Sequence, residues 1–241
     1  MSLETSIVCP SDISILSNKI EKTALSIACR NNKILVNKNS KHINYYEENI
    51  NFKDLLKNIK ENLTSDAFII CSFEDYGVEE ARKLKSKLIL GVGEASFNIA
   101  SFISDSFSII TTLSSSHETI RNNLKKYGLY EKCVSLQSID VPVLDLETMS
   151  NQNLSKLKNE VHRTITEENP GSIIITNPGI VNIKRELEDE FKIPIIEGVL
   201  AAVTFTEMLY KLKFNMNKKM YKNFSSNNYN YNGYFSQYLK F

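Results

Sequence analysis

The chain of 241 residues contains no tryptophan, three histidines and four cysteines, none of them in a CxxC pair. No apolar run approaches the 18 or so residues that a membrane-crossing helix needs. Met1 to Pro10 shows neither the basic start nor the apolar core of a secretory signal. These absences exclude a membrane span and leave a cytoplasmic protein with reduced thiols as the expectation. With 29 Lys+Arg against 28 Asp+Glu, the chain as a whole offers no field to attract nucleic acid or an acidic membrane. The charge is nevertheless uneven, because six lysines and no acid follow Glu207. Residues 218–241, with the segment Ser225 to Gly233, are low in aliphatic side chains and without period, and they are expected to form a mobile basic tail. Lysines and tyrosines there could stack on single strands, yet without arginine or a recognition pattern no nucleic-acid partner is expected.

What the chain does have is alternation. Short Ile- and Val-rich runs alternate with stretches of helical period, the pattern of parallel sheets with helices on their faces. Strands are expected at Ser6 to Val8, Lys33 to Val36, Ala67 to Cys71, Leu88 to Leu90, Ser106 to Thr111, Cys133 to Leu136, Ser172 to Thr176 and Ile195 to Ile196. Helices are expected between them, among them Ala95 to Ser104 and Val181 to Phe191. The fold class is α/β. Two strands, at Ala67 and at Ser172, run into turns with Asp75 and Gly77 and with Asn177-Pro178-Gly179. The carboxyl ends of strands are where open α/β sheets bind ligands, so these turns are the first candidates for a site.

The local motifs are weak by themselves. Gly91-Val92-Gly93 begins like a dinucleotide fingerprint, but Ser96 stands at the third glycine position and no acid follows at the required spacing. His42, His117 and His162 lie far apart and in no metal-ligand or triad spacing, so a surface or loop role is expected for each.

In combination the segments are specific. Asp66 to Gly77, reading DAFIICSFEDYG, resembles the DAxxxACFxDxG segment of the aspartate/glutamate/hydantoin racemase superfamily, and the register continues through Arg82. Gly91 to Ala95 resembles its GIGEA, Phe107 to Leu113 its FSVVTTL, Tyr127 to Leu129 its YGL, and Asp140 to Glu147 its DVPVLDLE. Pro194 to Val203 is similar to its PVIDGVAAAV. The resemblance covers most of residues 6–218 and is closest to the hydantoin racemases.

It implies two similar α/β lobes with a ligand cleft between them, 1–93 plus 197–217 and 94–196. It also implies cofactor-independent proton transfer at the α-carbon of an amino acid or hydantoin-type derivative, by two cysteines on opposite faces. Family members commonly assemble into oligomers, so a homo-oligomer is a further expectation. Carried over residue by residue, the first cysteine falls on Ser72 and the second on Asn177, so neither thiol is present. Pro10, Ser11, Phe73, Thr111, Thr112, Pro178 and Gly179 fall on substrate-binding positions. Cys71, one residue before the first position, is a stand-in only if a bulge re-aims it, because successive strand residues face opposite ways. Cys9 and His117 are further acid–base candidates, while Asp75 and Glu94 are expected to cap or hold the framework. Three readings stay open: a racemase-like enzyme, a non-catalytic protein that binds a small carboxylate or cyclic amide, and a changed reaction such as decarboxylation or one-base isomerisation.

Overall fold

A computed structural model describes residues 2–9, 14–37, 52–84, 86–141 and 150–216. Among them the chain alternates β1 (Leu3–Val8), α1 (Ser14–Ile27), β2 (Asn32–Asn37), α2 (Phe52–Glu61), β3 (Ala67–Ile70), α3 (Val78–Leu84), β4 (Leu88–Gly91) and α4 (Val92–Ile103). It continues through β5 (Phe107–Thr111), α5 (His117–Lys126), β6 (Cys133–Ser138), α6 (Asn151–Glu168), β7 (Ser172–Ile175), α7 (Lys184–Phe191), β8 (Ile195–Glu197) and α8 (Gly198–Lys211). All strand pairs are parallel. The first sheet has the order β2-β1-β3-β4 and the second β6-β5-β7-β8, so one topology occurs twice and gives two lobes.

Strand alternation decides what each face meets. In β3, Phe68 and Ile70 point to a cluster with Leu55, Ile59, Val78 and Ala81 from α2 and α3. Ile69 points the other way, into a core with Leu16, Ile20, Phe97, Val199 and Ala202 from α1, α4 and α8. The same division holds in β7: Ile173 and Ile175 meet Leu157, Val161 and Leu187 of α6 and α7, and Ile174 joins the central core. That central core is continuous across both lobes, because it also takes Ile7 from the first sheet and Phe107 and Ile109 from the second. Each fully buried Ile, Leu or Phe contributes about 2 kcal/mol, so the repeated sheets and the layer of α1, α4 and α8 between them hold the strand ends in fixed relation.

Among the helix starts that differ from the sequence reading, two bear on the strand-end turns. α4 begins at Val92 rather than Ala95, since a carboxylate from another turn caps it. The segment at Val181 is first a 3-10 turn, Pro178–Asn182, and α7 starts only at Lys184. Among the described residues no helix is long and apolar enough to cross a membrane.

Candidate functional site

The turn after β3 is built around Asp75. Its backbone is left-handed, with φ 54°, a conformation that Asp tolerates better than most side chains. The turn closes as Asp75 N donates to Ser72 O at 3.0 Å. Thus folded back, the buried carboxylate accepts from Gly93 N at 3.0 Å and Glu94 N at 2.7 Å, satisfying two free donors of the first turn of α4. The Tyr127 hydroxyl, at the end of α5, donates to the same carboxylate at 2.9 Å. A Cβ at Gly91 would collide with the Asp75 carboxylate, and one at Gly93 with the Phe73 carbonyl. The Gly-x-Gly spacing therefore makes room for a carboxylate cap, not for a dinucleotide. Burial, with the Glu94 charge next, pushes Asp75 up to about 8. Arg82, itself buried, steadies the far side by donating to Glu94 at 2.6 Å and to the Ile89 carbonyl at 2.8 Å.

Above this base lies Ser72, partly buried, whose Oγ donates to Glu74 Oε2 at 2.8 Å. The other carboxylate oxygen of Glu74 accepts from Ser116 Oγ at 2.6 Å, across to the second lobe. Asn123 of α5 donates to the Glu74 main-chain carbonyl at 2.6 Å. Phe73, between these two residues, turns into the core and meets Phe97 edge to face at 5.3 Å. The turn after β3 is thus tied to the turn after β5 by a carboxylate with a hydroxyl on each oxygen.

The turn after β7 has another character. Asn177 is buried at 3% exposure, Ile180 N donates to its carbonyl at 3.3 Å, and Ile180 fills the apolar cluster beneath. Pro178 and Gly179 open the 3-10 turn. A small cleft beside Asn177 is lined by Thr111, Thr112, Ile110 and Ile180. Glu197, one strand over, caps α8 by accepting from Leu200 N at 2.8 Å, and burial pushes it up to about 7.

Thr111 is buried and its hydroxyl is already committed. It donates within the fold, with the Leu113 carbonyl at 3.0 Å and the Gln137 carbonyl at 3.1 Å, and His117 Nε2 lies 3.0 Å away. His117 is partly buried, and desolvation lowers it below the usual histidine value, so the ring is neutral near pH 7 and braces the end of β5.

The thiols sit below the turns. Cys71 N donates to Val8 O at 2.9 Å, which continues the β1–β3 pairing by one residue and places Cys71 beside Cys9. Both are buried in the central core. A hydrogen bond to Cys9 and burial push the Cys71 thiol well above the usual thiol range. Pro10, Ser11, His42, the Pro142 to Glu147 part of the DVPVLDLE segment and the 218–241 tail lie outside the described residues. Among the described residues, no group of three or more His, Cys, Asp or Glu side chains is placed to hold a metal.

The same strand ends and turns carry the relationship to known proteins. The model of the Asp/Glu/Hydantoin racemase family matches residues 40–206. The chain belongs to this family. It is 29% identical over 181 residues to the hydantoin racemase of Pseudomonas sp. (strain NS671), covering 74% of this chain and 73% of that one. The fold superimposes on the allantoin racemase from Klebsiella pneumoniae with a TM-score of 0.82 and 28% identity over 90% of this chain and 91% of that one. A glutamate racemase from Francisella tularensis shares the fold at a TM-score of 0.64 with 12% identity, over 88% of this chain and 82% of that one.

For a racemase-family site, the arrangement is lopsided. On the β3 side stand a carboxylate and the Ser72 hydroxyl, joined by the Ser116 hydroxyl from the turn after β5, and on the β7 side a buried amide. Sequence reading passed over Glu74, because it occupies an unspecified position of the DAxxxACFxDxG segment. The signal available was its place two residues after Ser72, close enough for a side-chain hydrogen bond within one turn.

Proposed function

We propose that this racemase-family protein binds a small hydantoin-type cyclic amide or related amino-acid derivative between the turns after β3 and β7, and that it does not racemise it. The observation that carries this reading is the pair Ser72 and Asn177. Inversion at a carbon needs a group that removes the proton from one face and another that returns it on the opposite face. A serine hydroxyl is not ionised near neutral pH, and a carboxamide neither takes up nor releases a proton usefully there. Both are, however, good hydrogen-bonding groups for ring N–H and C=O. The nearest thiols do not replace the missing ones, since Cys9 and Cys71 are buried in the core and Cys71 is held protonated. Family membership and the likeness to hydantoin and allantoin racemases support the choice of ligand class.

The test is titration of the protein with 5-substituted hydantoins, allantoin, aspartate and glutamate by NMR, with chiral chromatography of each bound compound. Saturable binding of a cyclic amide with unchanged optical purity is expected. Inversion by the unmodified protein, or no binding by any member of the panel, overturns the reading.

A further inference from the structure

Binding alone leaves Glu74 unused. This partly buried carboxylate is fixed at three points from both lobes: Ser72 on one oxygen, Ser116 on the other and Asn123 on its main chain. Among the described residues no Lys, Arg or His forms an ion pair with it, unlike Glu94, which is neutralised by Arg82. A carboxylate oxygen has more than one acceptor site, so each hydroxyl leaves capacity for a further proton. Positioned carboxylates of this kind serve as bases for protons next to carbonyl groups.

We propose that Glu74 is a general base acting on one face of a cyclic amide bound at Ser72, so that the protein exchanges the ring-carbon proton with solvent without inverting the centre. The step balances without a co-reactant. The C–H bond between the ring carbonyl and the ring nitrogen breaks, its proton passes to a Glu74 oxygen, and its electron pair moves into the carbonyl as an enolate. Solvent deuterium replaces the proton on the carboxyl group. As the carbonyl reforms, the deuteron returns to the same face, because the Asn177 amide on the other side is too weak an acid to protonate the enolate. Ser72 and Ser116 are positioning residues for the base. The inference rests on the binding proposed above and is tested separately from it.

The experiment follows the C5 proton of L-5-benzylhydantoin by NMR in D₂O at pH 7, against buffer alone, with chiral chromatography of the same samples. Deuteration faster than in buffer with retention of configuration is expected. Glu74→Gln should lower the protein-dependent exchange by about 100-fold or more, with a titration showing the ring still bound and an unchanged melting temperature showing the variant folded. Glu74→Asp should recover part of the rate. Ser116→Ala should lower the rate while leaving affinity unchanged, a split that a merely structural serine would not produce. Exchange that survives in the Gln variant, or inversion as fast as exchange, overturns the inference. Binding without exchange overturns it and leaves the binding proposal standing, whereas no binding removes the binding proposal and this one with it.

Discussion

The turns after β3 and β7 occupy equivalent places in two sheets of identical strand order, yet they are built from opposite materials. The first is mostly polar around its core-facing Phe73: Ser72 and, from the turn after β5, Ser116 on Glu74, and Asp75 folded under α4 to take two backbone N–H groups and the Tyr127 hydroxyl. The second is apolar beneath its one amide, with Ile180 packed against the cluster that holds Leu187 and Ile175. Topology repeats because the same alternation of apolar faces builds both sheets. Chemistry does not repeat, because it depends on the few residues after each strand end, which the fold leaves free to vary. A two-faced proton transfer needs a proton-transfer group in each turn, whereas the turn after β3 holds the Glu74 carboxylate and the turn after β7 the Asn177 amide.

The largest change would come from making the two turns equivalent again. Ser72→Cys combined with Asn177→Cys puts a thiol at each position on which the sequence resemblance places a family cysteine. Measurable inversion of a bound hydantoin, read by the decay of optical rotation, is expected in the double variant and in Asn177→Cys, where the new thiol stands opposite Glu74, but not in Ser72→Cys. Inversion requires a proton-transfer group on each face, and in Ser72→Cys the Asn177 side still lacks one. Inversion in Ser72→Cys would show that the turn after β7 already supplies an acid, and the asymmetry between the turns would then be wrong.

Much of this architecture is legible in the sequence, and the failures are instructive. Ile- and Val-rich runs fixed all eight expected strands to within a few residues, because fully buried parallel strands have to be apolar on both faces. The early start of α4 was hidden because its cap, Asp75, lies in a different turn, and local reading sees only neighbouring residues. Val181 and Asn182 were read as the start of a helix running to Phe191, although they close the 3-10 turn Pro178–Asn182, in which the chain turns to bury Ile180. Thr111 carried the family pattern and was expected among the substrate-binding residues; its hydroxyl lies within hydrogen-bond distance of the Leu113 and Gln137 carbonyls, a partnership that no local pattern shows. Glu74 was missed for the opposite reason, since no pattern specifies it and only its two hydroxyl partners, one of them 42 residues away, mark it out.

The buried half of the polar turn can be probed by pH. Asp75 is raised from an ordinary carboxylate value to about 8, so between about pH 4 and 8 the folded protein holds a proton that the unfolded chain has lost. Stability therefore falls as pH rises through this window. The loss from this group between pH 6 and 8 should be on the order of 2 kcal/mol, measured by urea unfolding at a series of pH values. Glu197, raised to about 7, adds a loss of the same sign that is complete at a lower pH. Asp75→Asn keeps an acceptor for one of the two α4 amides and cannot titrate, so its stability should vary less with pH than that of the unmodified protein. An equal slope in both would mean that Asp75 is ionised in the folded state and that its cap rests on charge.

The smallest effect, and the sharpest test of where the chemistry lies, is expected from Cys71→Ala. Cys71 stands next to Ser72 in sequence, and a shifted strand end would bring its thiol to the ligand in place of the missing one. The register is unshifted: Val8 pairs with Ile70, and the next amide, Cys71 N, still reaches Val8 O at 2.9 Å. That directs the side chain into the core beside Cys9, where burial and its thiol neighbour hold it protonated. Removing the sulfur from such a position deletes one small apolar group and should cost about 1 kcal/mol of stability, with ligand affinity and proton exchange unchanged. If exchange disappeared while the variant stayed folded, the working base would be a thiol after all, and the polar turn would be scaffolding for Cys71 instead of the site of Glu74.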